Sequence, residues 1–144
     1  MRQIKFRGKA HYIDEWRYGN LLLVENNYHI VEDEDMCEDG HHIVQLSDRP
    51  TWITEKTIGQ FSGLHDKNGK EIYEGDILRL GEVKTLIEVR FVRGVFAFLW
   101  NGDLDDEFPC NAPTHEWAEV IGNIHDNPEL LTHKDKYEGK EGKE

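Results

Sequence analysis

The stretch Leu86-Ile87-Glu88-Val89-Arg90-Phe91-Val92-Arg93-Gly94-Val95-Phe96-Ala97-Phe98-Leu99-Trp100 decides the fold class. Side chains on a strand alternate between faces, so Ile87, Val89 and Phe91 share one face while Glu88 and Arg90 share the other. Arg93-Gly94 is spaced for a tight turn, because glycine accepts the positive φ that a two-residue hairpin turn demands. Val95 to Trp100 then reads as the return strand, closed by Asn101-Gly102. In the Phe96 to Trp100 run, one parity is expected to face inward and the other outward, so that part of this apolar surface needs a partner or a second layer.

The same period-two signal extends in both directions from this hairpin. Glu71 to Leu80 enters a strand through Gly75-Asp76, and Asp66-Lys67-Asn68-Gly69-Lys70 is a turn whose Asn68-Gly69 pair suits positive φ. Ile58 to Leu64 is a short apolar stretch punctuated by glycine. Near the start, Ile4 and Phe6 oppose Lys5 and Arg7. Trp16 to Val24 reads as a strand with a bulge at Gly19, and Asn26-Asn27 is a turn before the hairpin partner Tyr28 to Val31. His41 to Leu46 is a further short strand, broken at Pro50. Trp117 to Ile124 makes a final strand, and Asn127 caps a helical turn opened by Pro128. No long 3.6-residue periodicity exists, so the chain reads as mainly β.

With 144 residues and 38% hydrophobic content, the chain can bury a core without disulfide staples. Four Trp, five Tyr and six Phe supply its mass. Cys37 and Cys110 stand far apart and form no disulfide framework. The opening residues lack the apolar run of a signal peptide, and no stretch approaches the ~18 apolar residues of a membrane span. A cytoplasmic protein with no membrane partner is expected. Net charge is −12, from 29 acids against 17 bases, which opposes a phosphate backbone, so no nucleic-acid partner is expected. Residues 32–39 hold six acids in eight positions, and a second acidic loop spans Asp103 to Glu107. From His133 onward the chain is almost wholly charged residues and glycine, a frayed tail.

Candidate chemistry is sparse. Asp35, Cys37, Glu38, Asp39, His41 and His42 are metal-ligand types, but their spacing matches no closed zinc pattern. A solvated acidic loop accounts for them, and no metal or other cofactor is expected. Cys110 precedes His115 and Glu116 by only a few residues, which is not a triad, and no nucleophile elbow flanks the cysteine. Gly63 to Lys70 is one residue too long for a phosphate loop, and Glu71 stands where Ser or Thr is required. The chain is therefore not expected to be an enzyme.

The block Ile58-Gly59-Gln60-Phe61-Ser62-Gly63-Leu64-His65-Asp66-Lys67-Asn68-Gly69-Lys70-Glu71-Ile72-Tyr73-Glu74-Gly75-Asp76-Ile77 resembles the hallmark of the YopX family of phage and prophage proteins. The ending Val120-Ile121-Gly122-Asn123-Ile124-His125-Asp126-Asn127-Pro128-Glu129-Leu130-Leu131 is similar to that family's closing motif. Ile4-Lys5-Phe6-Arg7-Gly8-Lys9, with Trp16-Arg17-Tyr18-Gly19, is similar to its start. The likeness spans about residues 1 to 131. It implies a viral or prophage origin and a small SH3-like β-barrel in the C-terminal part, and it carries over no catalytic residues. Taken with the sequence, it predicts an N-terminal β segment over 1–56, the barrel over 57–131 and a disordered tail over 132–144.

Two function classes follow. The first is a protein-binding module for a host or phage partner, with Tyr73, Phe96, Phe98 and Trp100 as candidate contacts because aromatics dominate binding hot spots, although barrel core is the better reading for most of them. A homo-oligomer is a further possible partnership. The alternative is an acidic decoy that mimics DNA and inhibits a host protein through the carboxylates at 32–39 and 103–107. An enzyme ranks third.

Overall fold

The computed structural model describes residues 3–32, 52–82, 86–105, 107–109 and 114–131. Among the described residues there are ten strands and no α-helix, so the chain is mainly β. It divides into two compact units, Met1–Phe61 and Ser62–Glu144. The predicted strand His41 to Leu46, the six candidate metal ligands and the tail from 132 lie outside the described residues.

The first unit holds β1 (Phe6–Lys9), β2 (Trp16–Val24), β3 (Asn27–Val31) and the start of β4 (Gly59–His65), in the order β3-β2-β1-β4. Every pair is antiparallel, with Phe6 opposite Gly19, Leu22 opposite His29 and Arg7 opposite Gly59. The β2–β3 turn is Glu25-Asn26, at φ 50 and 67, and Asn27 already pairs with Val24. The turn thus lies one residue earlier than the Asn26-Asn27 signal suggested. Asn26 does take positive φ, but Glu25 rather than a second Asn completes the pair. The expected bulge at Gly19 is absent, since β1 and β2 pair without a register shift there. Gly19 serves instead for close approach: at φ 152, a Cβ here would lie 2.3 Å from the Val31 carbonyl oxygen.

Residues 52–54 are laced between β3 and the end of β1. The Ile53 N–H donates to the Tyr28 carbonyl (2.9 Å), the Thr54 N–H to the Lys9 carbonyl (2.9 Å), and the His11 N–H to the Trp52 carbonyl (2.7 Å). Ile53, Ile30, Val31 and Ala10 are buried within this unit. His29 is half-buried in β3, and desolvation lowers its pKa from 6.5, favouring the neutral imidazole.

In the second unit, β4 runs on to pair with β5 (Glu71–Tyr73). The remaining strands are β6 (Asp76–Leu80), β7 (Leu86–Val92), β8 (Val95–Trp100), β9 (Glu107–Pro109) and β10 (Ala118–Asn123), ordered β10-β6-β7-β8-β9. Ile72, Leu78, Ile87, Val89, Phe98 and Ala118 form the core, with Leu64, Leu80, Trp100 and Val120 packed against it. β9 was not legible: its first residue, Glu107, belongs to the segment read as an acidic loop, yet its backbone pairs with Leu99. β10 begins at Ala118 rather than Trp117, which closes a 3-10 turn from Thr114.

Side chains fasten the turns of this unit. Asp66 is buried, and its Oδ1 accepts the N–H groups of Asn68 (2.8 Å) and Lys70 (2.9 Å), while Oδ2 accepts the Val120 N–H (2.9 Å). Burial works against its charge, but these three donors and the Lys70 ammonium prevail and hold the carboxyl below its ordinary 3.8. Gly69, not Asn68, takes the positive φ in this loop, at 83°. Asp76 closes the β5–β6 turn by accepting the Tyr73 N–H at 2.7 Å. Pro128 opens a 3-10 turn through Leu131, whereas the Asn127 side chain reaches backward to accept the Asn123 N–H at 3.2 Å.

Candidate protein-docking surface

The β7–β8 hairpin turns on Arg93-Gly94, at φ 50 and 83, as the sequence predicts. Positive φ at both central residues matches the right-handed twist of the two strands, so pairing starts at once with Val92 opposite Val95. Phe91 then faces Phe96, Val89 faces Phe98, and Ile87 faces Trp100. Directly opposed residues share a face, so these six side chains form one apolar stripe running the length of the hairpin.

Only part of the stripe is covered. Ile87, Val89 and Phe98 are fully buried in the core, with Trp100 packed against it. Towards the turn the cover ends. Phe91 is 48% exposed, and its ring meets the half-buried Phe96 edge-on, with centroids 5.1 Å apart at 73°. Val95, beside the turn on the other face, is 56% exposed. A flexible apolar side chain in water gains little, but a Phe–Phe pair already ordered by its strands loses little conformational entropy on docking.

The opposite face is also filled near the base of the hairpin. Glu88 is 4% exposed, Leu99 and Ala97 are buried, and Leu131 lies near Gly102 beside the Glu88 carboxylate. Arg90, two residues along the same face, donates to both Glu88 oxygens at 2.7 and 2.8 Å. This bidentate pair lets a carboxylate sit in the interior without an uncompensated charge.

The predicted contact residues therefore separate. Tyr73 and Phe98, at 2% and 0% exposure, are core side chains, and the Tyr73 hydroxyl donates to Glu71 at 3.0 Å. Phe96 and Trp100 are half-buried. The expected division of Phe96 to Trp100 into an inward and an outward parity is corrected: Ala97, Phe98 and Leu99 are buried in succession. Both faces of the strand are covered there, which alternation along one strand does not reveal. Exposure varies along the hairpin rather than across it, and this brings Phe91 and Val95 forward, two residues sequence reasoning did not select. Their available signal was proximity to the turn, where a hairpin outruns its core.

Other candidates gather less. The first unit has a ring cluster in which the exposed His11 stacks on the half-buried Trp52 at 4.2 Å and the exposed Tyr12 meets both rings edge-on. It also has a groove of about 400 Å³ bordered by Lys5, Tyr18, Asn20 and Glu32. Among the described residues, no group of three or more His, Cys, Asp or Glu is placed to hold a metal ion. Cys110 lies outside the described residues. Asp103 accepts the Asp105 N–H at 3.0 Å, an ordinary turn. Among the described residues, no helix is long and apolar enough to cross a membrane.

A family model described as YopX protein matches residues 5–132. Protein EF1440 from Enterococcus faecalis, a crystal structure, is similar at 26% identity and TM-score 0.49, covering 91% of this chain and 99% of its own. Protein yopX from Bacillus subtilis is similar at 18% identity and TM-score 0.48, covering 91% and 97%. No curated protein matches the chain.

Proposed function

This chain belongs to the YopX family, and from that premise we propose that it is a phage or prophage accessory protein acting in the cytoplasm as a non-catalytic protein-binding module. The observation that carries the reading is the apolar stripe of the β7–β8 hairpin, which is core at Val89 and Phe98 but open to solvent at Phe91. Apolar groups held rigidly at a surface are the usual anchors of protein recognition. The order β10-β6-β7-β8-β9, in which the last strand follows a 3-10 turn and returns beside the first, supports an SH3-like barrel for this unit. Such small barrels commonly display binding residues beside their hairpins and loops.

The test is capture of binding proteins from host and phage lysates by wild type and by Phe91→Ala, with identification by mass spectrometry. Proteins retained by wild type and lost from the variant support the module. An identical set from both counts against this surface. Variants with Asp103 and Asp105 changed to Asn examine the acidic-decoy alternative in the same assay, and loss of capture there would favour it.

A further inference from the structure

The β2–β3 ladder fixes which backbone groups of β2 face away from β3. The Ile53 N–H donates to the Tyr28 carbonyl, so the polar groups of Tyr28 point away from β2. In an antiparallel ladder both members of such a pair turn N–H and C=O outward, and the pattern alternates along the strand. Tyr28 lies opposite Leu23, so Leu23, Leu21 and Gly19 aim these groups at the far edge of β2. β1 meets Gly19 with Phe6, and its pairing with β2 stops there. Among the described residues, no hydrogen bond reaches the outward groups of Leu21 or Leu23. The neighbouring edges of this unit are taken, β3 by residues 52–53 and β1 by β4.

Three further features sit along this open edge. Leu23 and Val24 are 60% and 37% exposed, and Ile4, just upstream of β1, is 60% exposed. The groove of about 400 Å³ is bordered by residues 3–5 and 18–20, where the β1–β2 register ends. At the other end, Glu25 is exposed and joins no ion pair among the described residues. An unpaired strand edge beside exposed apolar side chains is a template for pairing with another chain.

We propose that residues 20–24 of β2 bind an extended segment of another protein, which adds as a strand antiparallel to β2 and in line with β1. Main-chain hydrogen bonds to Leu21 and Leu23 supply affinity, and alternate side chains supply selectivity. Residues placed opposite Leu21 and Leu23 share their face, so apolar, β-branched side chains fit there. A segment in this direction brings its N-terminal end to Glu25, which favours lysine or arginine at that end. The net charge of −12 attracts a basic segment and disfavours a second copy of this chain. The site belongs wholly to the first unit, whereas the β7–β8 stripe belongs to the second.

The probe is a fluorescein-labelled peptide of about six residues, two lysines followed by alternating valine and threonine. Fluorescence polarisation with the full chain is expected to show saturable binding. Methylating the valine backbone nitrogens removes the donors aimed at β2 and should weaken binding by about tenfold or more. Methylating the threonine nitrogens, which face solvent, should change it little. Leu23→Lys and Glu25→Lys should each weaken it by about threefold or more, with melting temperatures unchanged because both positions are exposed. Amide exchange followed by NMR locates the contact. The peptide should slow exchange at Leu21 and Leu23 and leave Leu22, already bonded to β3, unchanged.

Absence of binding, equal binding by the two methylated peptides, or binding without protection of Leu21 and Leu23 overturns the proposal. Protection that rises with protein concentration in the absence of peptide assigns the edge to a second copy and overturns it too. Protection in the free chain at every dilution means that the chain covers its own edge, with the same consequence. Phe91→Ala should bind the peptide as wild type does, so this site and the β7–β8 surface are judged separately.

Discussion

The Asp66 carboxylate accepts the backbone N–H of Val120, 54 positions away, at 2.9 Å. The same side chain organises its own loop through Asn68 and Lys70. One buried group therefore fixes the β4–β5 turn and anchors it to β10. Hydrogen bonds from backbone N–H groups to a charged acceptor exceed neutral ones in strength, and a donor left without its acceptor costs more than the bond was worth.

Asp66→Asn should lower stability by about 2 kcal/mol, because the amide keeps one acceptor oxygen and turns a donor towards another N–H. Urea denaturation of wild type and variant measures this. A loss under about 0.5 kcal/mol would mean that the loop and β10 hold without it.

Acid should act through the same residue. The folded carboxyl titrates below 3.8, so the unfolded chain takes up the proton first as pH falls. The contribution is full above that value and disappears as pH drops through the folded pKa. Stability measured from pH 5 downward should therefore fall more steeply in wild type than in Asp66→Asn, near pH 4 and below. Parallel curves would contradict this.

Two glycines with positive φ should respond differently to alanine. At Gly94 nothing lies within 4 Å of an added Cβ, so Gly94→Ala should cost only the backbone term, about 1 kcal/mol. At Gly19 the new Cβ meets the Val31 carbonyl oxygen at 2.3 Å, which requires the β2–β3 backbone to move. Gly19→Ala should cost about 3 kcal/mol or more. Denaturation midpoints rank the two, and an equal loss would refute the close approach.

The sequence made the β7–β8 hairpin legible because every local signal agreed: alternation, a turn glycine and an apolar return strand. It placed Val89 on the correct face. It did not show where cover ends, since cover comes from Ile72, Leu78 and Ala118, distant in sequence. Hence Phe98 and Tyr73, chosen for their aromatic character, prove to be core, while Phe91 is the open ring. β9 escaped notice because strand pairing at its backbone overrides a charged composition. Gly19 suggested a bulge because alternation alone does not distinguish a bulge from a close neighbouring carbonyl.

The Glu88–Arg90 pair should be asymmetric. Arg90→Ala leaves a carboxylate that is 4% exposed without its guanidinium, and should cost about 2 kcal/mol or more. Glu88→Gln, which removes the buried charge, should cost less, because Arg90 is partly solvated. Thermal unfolding of the two variants decides the order, and a larger loss for Glu88→Gln would contradict it.

The central claim is that the β7–β8 stripe changes from core to contact surface between Val89 and Phe91. Its most direct measurement is the stability and protein capture of Phe91→Ala beside Phe98→Ala. Phe98→Ala should lose about 3–5 kcal/mol of stability, as a core aromatic does. Phe91→Ala should lose less than about 1 kcal/mol of stability, yet weaken capture by about tenfold or more. Equal stability losses, or undiminished capture by a well-folded Phe91→Ala, would contradict the account.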